Sequence, residues 1–104
     1  MVQVSYKLDN IGEPLVQSIH EYVQHHLDAR MDAYLKKFTK KPDVKILLDV
    51  SITKNKHDLF EGSFRLSADG QMFVYKTDSD KPFQNPQDLV SHAFSHFKET
   101  LADG

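Results

Sequence analysis

The 104-residue sequence contains no cysteine. Disulfides, thiolate zinc sites and cysteine nucleophiles are therefore excluded, and the absence fits a reducing compartment. No apolar run approaches the ~20 residues needed to cross a membrane. The N-terminus, Met1-Val-Gln-Val-Ser-Tyr-Lys, lacks the charged start and apolar stretch of a secretion signal. A cytoplasmic protein with no membrane attachment is expected. Glycine is scarce too: the four glycines are isolated, so no glycine-rich loop can cradle a phosphate. Nucleophile elbows, dinucleotide fingerprints and metalloprotease motifs are also missing, and no Ser, His and Asp spacing selects a triad. The sequence predicts a binding protein without catalysis or cofactor.

A large excess of charge of one sign is lacking as well, the formal net charge being −2. The charges are unevenly placed. Residues 1–29 carry one Lys against four acids, residues 30–65 nine Lys or Arg against five acids, and residues 66–104 three Lys against six acids. The middle is thus +4 between two ends of −3. Such a distribution can build a local anion site without overall basicity. Six histidines add a lever below neutral pH.

Hydrophobic periodicity gives the fold. Val2, Val4, Tyr6 and Leu8 alternate with polar residues, the period of a strand with one buried face. Pro14 then suits a first helical turn. Apolar residues follow at Leu15, Ile19, Tyr22, Val23, Leu27, Met31, Tyr34, Leu35 and Phe38, spaced by three and four, until Pro42 ends the helix. Residues 44–53 alternate again, and so do 59–68, joined by the polar turn Lys54-Asn-Lys-His-Asp58. Asp69-Gly70 is a two-residue hairpin signal. It pairs Ala68 with Gln71, Leu66 with Phe73 and Phe64 with Tyr75. Residues 78–85 read as a loop. Asn85 as N-cap, Pro86 at the first helical position and Asp88 at the third open a closing helix. Its apolar face is Leu89, Val90, Ala93, Phe94, Phe97 and Leu101.

The predicted class is α+β: a single β-α-β-β-β-α domain over 1–104, with a four-stranded mixed sheet and two helices packed on one face. The other sheet face is expected to be wet. It would bear Lys45, Asp49, Ser51, Arg65, Met72, Val74 and Lys76. Its two apolar members, or the edge strand 71–77, offer a surface for a protein partner or a weak homo-oligomer. His92 and His96 share a helix face at i, i+4, but the sequence supplies no third metal ligand. His26 is expected to be partly buried.

Lys36, Lys37, Lys40 and Lys41 form the densest cationic cluster. At a helix end they complement the macrodipole, and they can also contact phosphate. Lys45, at the start of the next strand, should lie near them. Lys54, Lys56 and His57 stand at the strand's far end, about 30 Å away. Two cationic groups at that separation could contact separate backbone segments of a structured RNA, through phosphates and shape more than base edges.

The element order, and the segment Asn10-Ile-Gly-Glu-Pro-Leu-Val-Gln-Ser-Ile-His-Glu-Tyr-Val running on to Leu27, Tyr34 and Phe38, resemble the family of ribosome hibernation-promoting factors and ribosome-associated inhibitor A. The length resembles the family's short, sigma-54-modulation-like form, whose RNA-binding domain is akin to double-stranded-RNA-binding domains. The resemblance implies a non-catalytic factor that docks on the small ribosomal subunit and its 16S-type rRNA. Such a factor blocks the mRNA and tRNA sites and silences translation under stress. Carried over by position, the RNA contacts would be Lys36, Lys37, Lys40, Lys41, Lys45, Lys54 and Lys56, then Arg30 and Arg65. The family's basic second helix is not matched, since only Lys98 stands there.

Overall fold

The computed structural model describes residues 2–31, 34, 36, 45–77 and 81–103, with nothing stated of the side chains at 30, 31 and 103. Four strands form one sheet in the order β1-β2-β3-β4: β1 (Val2–Asp9), β2 (Ile46–Lys54), β3 (Phe60–Ala68) and β4 (Gln71–Lys76). β1 runs parallel to β2, and the other two pairs are antiparallel. Helix α1 (Glu13–His26) connects β1 to β2, and helix α2 (Pro86–Asp103) closes the chain. This is the predicted α+β architecture, with a mixed four-stranded sheet and two helices.

Both helices cover the same sheet face. Ile19, Val23 and Leu27 from the first helical segment join Leu89, Val90, Ala93, Phe94, Phe97 and Leu101 from α2 in one buried cluster. Below them lie Ile46, Leu48, Val50, Ile52, Phe64 and Leu66. Each strand contributes alternate residues, because successive side chains of a strand point to opposite faces. On the uncovered face, Leu47, Met72 and Val74 are the exposed large apolar side chains among the described residues.

Local chemistry sets the boundaries. Asp69 and Gly70 both hold positive φ, at 51° and 79°, as a two-residue hairpin of the mirror-image type requires. The register that follows is the predicted one, Ala68 with Gln71, Leu66 with Phe73 and Phe64 with Tyr75. Asn85 caps α2 as expected: its Oδ1 accepts from the Asp88 amide at 2.8 Å, and its Nδ2 donates to Asp88 Oδ2 at 3.1 Å.

Three local features depart from the sequence expectation. The first helix is regular only to His26; Leu27–Met31 are π-helical, and Tyr34 and Lys36 are again helical. Ile19, Val23 and Leu27 recur every four residues, and an α-helix drifts about 40° per such step. Leu27 is still buried, through a regular turn in which its amide bonds the Val23 carbonyl, and the helix widens only after it. His26 is buried at 6% exposure, stacked on Phe94 with centroids 5.2 Å apart, and its Nε2 lies 3.3 Å from Ser91 Oγ. Phe83, expected in a loop, makes a two-bond bridge to Phe60 (2.7 and 2.9 Å), which extends pairing along the outer edge of β3.

Candidate RNA-contact surface

Strand β2 fixes where the predicted cations stand. Lys45 precedes it and is exposed, and Lys56 is exposed in the turn beyond its other end. That turn is shaped by Asn55, whose Oδ1 accepts the amides of His57 (2.8 Å) and Leu59 (3.1 Å), with Asp58 in the left-handed region. Nine strand residues at about 3.3 Å each hold the two lysines roughly 30 Å apart. Lys54 faces the helix side and pairs with Asp58 at 3.7 Å, so part of its charge is met locally. Its carbonyl accepts from Asn10 Nδ2 at 3.0 Å, tying the end of β1 to this turn.

Lys36 is helical and exposed. Lys37, Lys40 and Lys41 lie outside the described residues, as does the side chain of Arg30. Arg65 sits on the uncovered sheet face, away from both helices. Its guanidinium donates twice to Asp49 Oδ2, at 3.0 and 3.3 Å, in a cross-strand ion pair. Exposed to solvent, that pair adds little stability. It does neutralise the acid directly opposite Arg65 in the sheet. Lys98 is turned over the Tyr34 ring, 5.9 Å from its centroid, so the lone cation of α2 is engaged with an aromatic face.

The histidines do not assemble a metal centre. His92 packs against Phe83 (4.9 Å) and His96 against Tyr75 (5.5 Å). Among the described residues no group of three or more His, Cys, Asp or Glu could hold an ion.

The uncovered face also carries Lys7, in line with the Lys76 expected there. Lys7 lies opposite Ser51, Ser51 opposite Ser63, and Ser63 opposite Lys76. The alternation in β1 puts Lys7 on the wet side. What the sequence lacks is the parallel register of β1 against β2, which no tight turn specifies.

Tyr6, at the sheet edge, stacks on His20 of α1 with centroids 3.8 Å apart. Burial raises its phenol above the usual value of 10.0, and does the same for Tyr75. The folded chain therefore holds these protons at pH values where the unfolded chain has released them. The stability they contribute is complete below pH 10.0 and lost as pH rises through the folded values. Urea midpoints should stay level from about pH 8 to 9.5 and fall above about 10, with a shallower fall for Tyr6→Phe. Identical alkaline slopes for the parent and Tyr6→Phe would contradict this.

No family profile and no curated protein matches the sequence. Among solved structures, the chain is similar to the N-terminal domain of Thermus thermophilus Protein Y, known from a crystal structure. The TM-score is 0.50 at 10% sequence identity, over 94% of this chain and 98% of that one. At that identity the likeness shows a shared fold. No described helix is long and apolar enough to cross a membrane.

Proposed function

We propose that this chain is a cytoplasmic, non-catalytic ribosome-associated factor. It would bind the small subunit through rRNA phosphates and silence translation under stress by occupying the mRNA and tRNA sites. The observation that carries the reading is the β-α-β-β-β-α fold, the architecture implied by the resemblance of residues 10–38 to the hibernation factors. The exposed lysines Lys36, Lys45 and Lys56 support it, since cations at both ends of β2 can reach separate phosphate runs. Lys37, Lys40, Lys41, Lys54, Arg30 and Arg65 complete the proposed contact set.

The test is co-sedimentation with ribosomes of the variant carrying Lys36→Gln, Lys37→Gln, Lys40→Gln and Lys41→Gln. Removing four phosphate contacts should flatten the log-affinity against log-salt slope by about 2.8 to 3.6 and release the chain at moderate salt. A variant that sediments like the parent would remove this cluster from the interface.

A second reading rests on Leu47, Met72 and Val74, which are 41%, 60% and 53% exposed on the uncovered face. They suit a protein partner or a second copy of the chain. A concentration-dependent rise in solution mass above 12.0 kDa would favour it.

A further inference from the structure

We propose that the row Lys7-Ser51-Ser63-Lys76, crossing all four strands of the uncovered face, is a second phosphate-contact track that takes the sugar-phosphate backbone of a single-stranded RNA segment. The inference deepens the RNA-binding reading and rests on it. It assigns a surface on the opposite side of the sheet from the two helices.

The register makes the row. Lys7 and Ser51 are paired across β1 and β2, Ser51 and Ser63 across β2 and β3, and Ser63 and Lys76 across β3 and β4. Three strand spacings put the lysine Cα atoms about 14 Å apart. Lys7 and Lys76 are exposed, and among the described residues neither has a carboxylate partner. The serines between them are half-buried and present hydroxyl donors on the floor. Together these four residues help line a concavity of about 620 Å³ that also takes in Arg65 and Val74.

Charge within that concavity favours an anion. Asp49 is its acid, and Arg65 already neutralises it at 3.0 Å. Lys7 and Lys76 are left as the uncompensated charges. The next row on the other side carries Asp9 and Glu61, opposite each other through Thr53. Their negative charge, about 7 Å along the strands, bars an anion from running lengthwise and leaves the path across the strands.

Two features select a backbone over other phosphate carriers. The row begins on one edge strand of the sheet and ends on the other, so it is open at both ends and lets a polymer pass. By alternation the four strands turn no aromatic side chain onto this face, and the ring of Tyr6, which also lines the concavity at the sheet edge, is already stacked on His20, so contact would be with phosphate and sugar, without base readout.

The test uses the full chain and the double variant Lys7→Gln/Lys76→Gln, in two arms. In ribosome co-sedimentation, the double variant should flatten the log-affinity against log-salt slope by about 1.4 to 1.8. The loss should add to that of the Lys36, Lys37, Lys40, Lys41 variant, as expected of separate phosphate contacts. In the second arm, a ten-nucleotide oligouridylate is titrated into labelled protein while amide resonances are followed. Ser51 and Ser63 should shift at low salt, and the shifts should vanish in the double variant. A parent that fails to sediment with ribosomes but shows these shifts would sink the ribosome reading and keep the track. Unmoved Ser51 and Ser63 amides, or shifts that survive in the double variant, would overturn the track whatever the ribosome arm gives. So would equal shifts with inorganic phosphate at the same phosphate concentration. Shifts of Leu47, Met72 and Val74 that follow protein concentration and ignore RNA would assign the face to a second copy and also overturn it.

Discussion

Gly62→Ala is expected to cost at least about 3 kcal/mol of stability, the upper end of what overpacking usually imposes. Gly62 lies in β3 opposite Ile52. A Cβ there would be driven into the carbonyl oxygen of Ser51 and would stand 3.1 Å from the Ile52 Cα. Both are backbone atoms of the neighbouring strand, so no side-chain rotation relieves the contact. Either β2 and β3 part, or Gly62 is pushed the other way, against the bonds that hold it to Thr77 after β4. The Gly62 amide donates to Thr77 Oγ1 at 3.0 Å, while the Gly62 carbonyl accepts from the Thr77 amide at 2.9 Å. For a domain of this size, where total stability is about 5–15 kcal/mol, the loss is a large share. It should lower Tm by roughly 12 °C or more. Gly12→Ala is the control: its Cβ would meet nothing within 4 Å, so the change should cost less than about 1 kcal/mol. Equal Tm values for the two variants in thermal unfolding would contradict the close approach of β2 and β3.

Phe64→Ala is expected to cost about 3–5 kcal/mol. Phe64 is fully buried, lies opposite Val50 and Tyr75 on the two flanking strands, and meets the Phe94 ring of α2 edge-on at 6.2 Å. Truncation removes one of the aromatic contacts between α2 and the sheet and leaves a void beneath Phe94. Phe64→Leu keeps much of the volume and should lose less than half as much. The consequence reaches the binding surfaces, because Ser63 and Arg65 flank Phe64 and take their positions on the uncovered face from this strand. Urea unfolding measures both variants. A loss below about 1 kcal/mol for the alanine would mean that α2 is not held where the structure places it.

Much of the fold is legible in the sequence because its signals are local. The Asp69-Gly70 turn sets a register that fixes six residue pairs, and the Asn85-Pro86-Asp88 sequence fixes the start of α2. Alternation in the strands gives the wet face, including Met72 and Val74. The features that escape a sequence reading depend on distant partners. His26 is buried because Phe94 and Ser91, more than sixty residues later, provide its stacking surface and polar contact. Phe83 bridges Phe60 because β4 is shorter than β3 and leaves that edge unpaired. The π-helical turn at Leu27–Met31 has no local signature, because the apolar spacing of three and four there reads as an α-helix. Of the candidate contact residues, Lys45 and Lys56 stand exposed where the strand pattern puts them. Arg65 is on the predicted wet face, but its ion pair with Asp49 arises only from the cross-strand register. The place of Lys7 in a row with Lys76 is hidden because a parallel pair has no turn to announce its alignment.

The central claim is association with the ribosome, and the most direct measurement is co-sedimentation of the purified chain with whole bacterial ribosomes and with separated subunits at low and high salt. The chain is expected to pellet with the small subunit and the intact particle at low salt, and to stay in the supernatant with the large subunit. Binding should fall steeply as salt rises, in proportion to the phosphates neutralised. A chain that remains in the supernatant with every particle at low salt would contradict the account, leaving the fold in place without the function proposed for it.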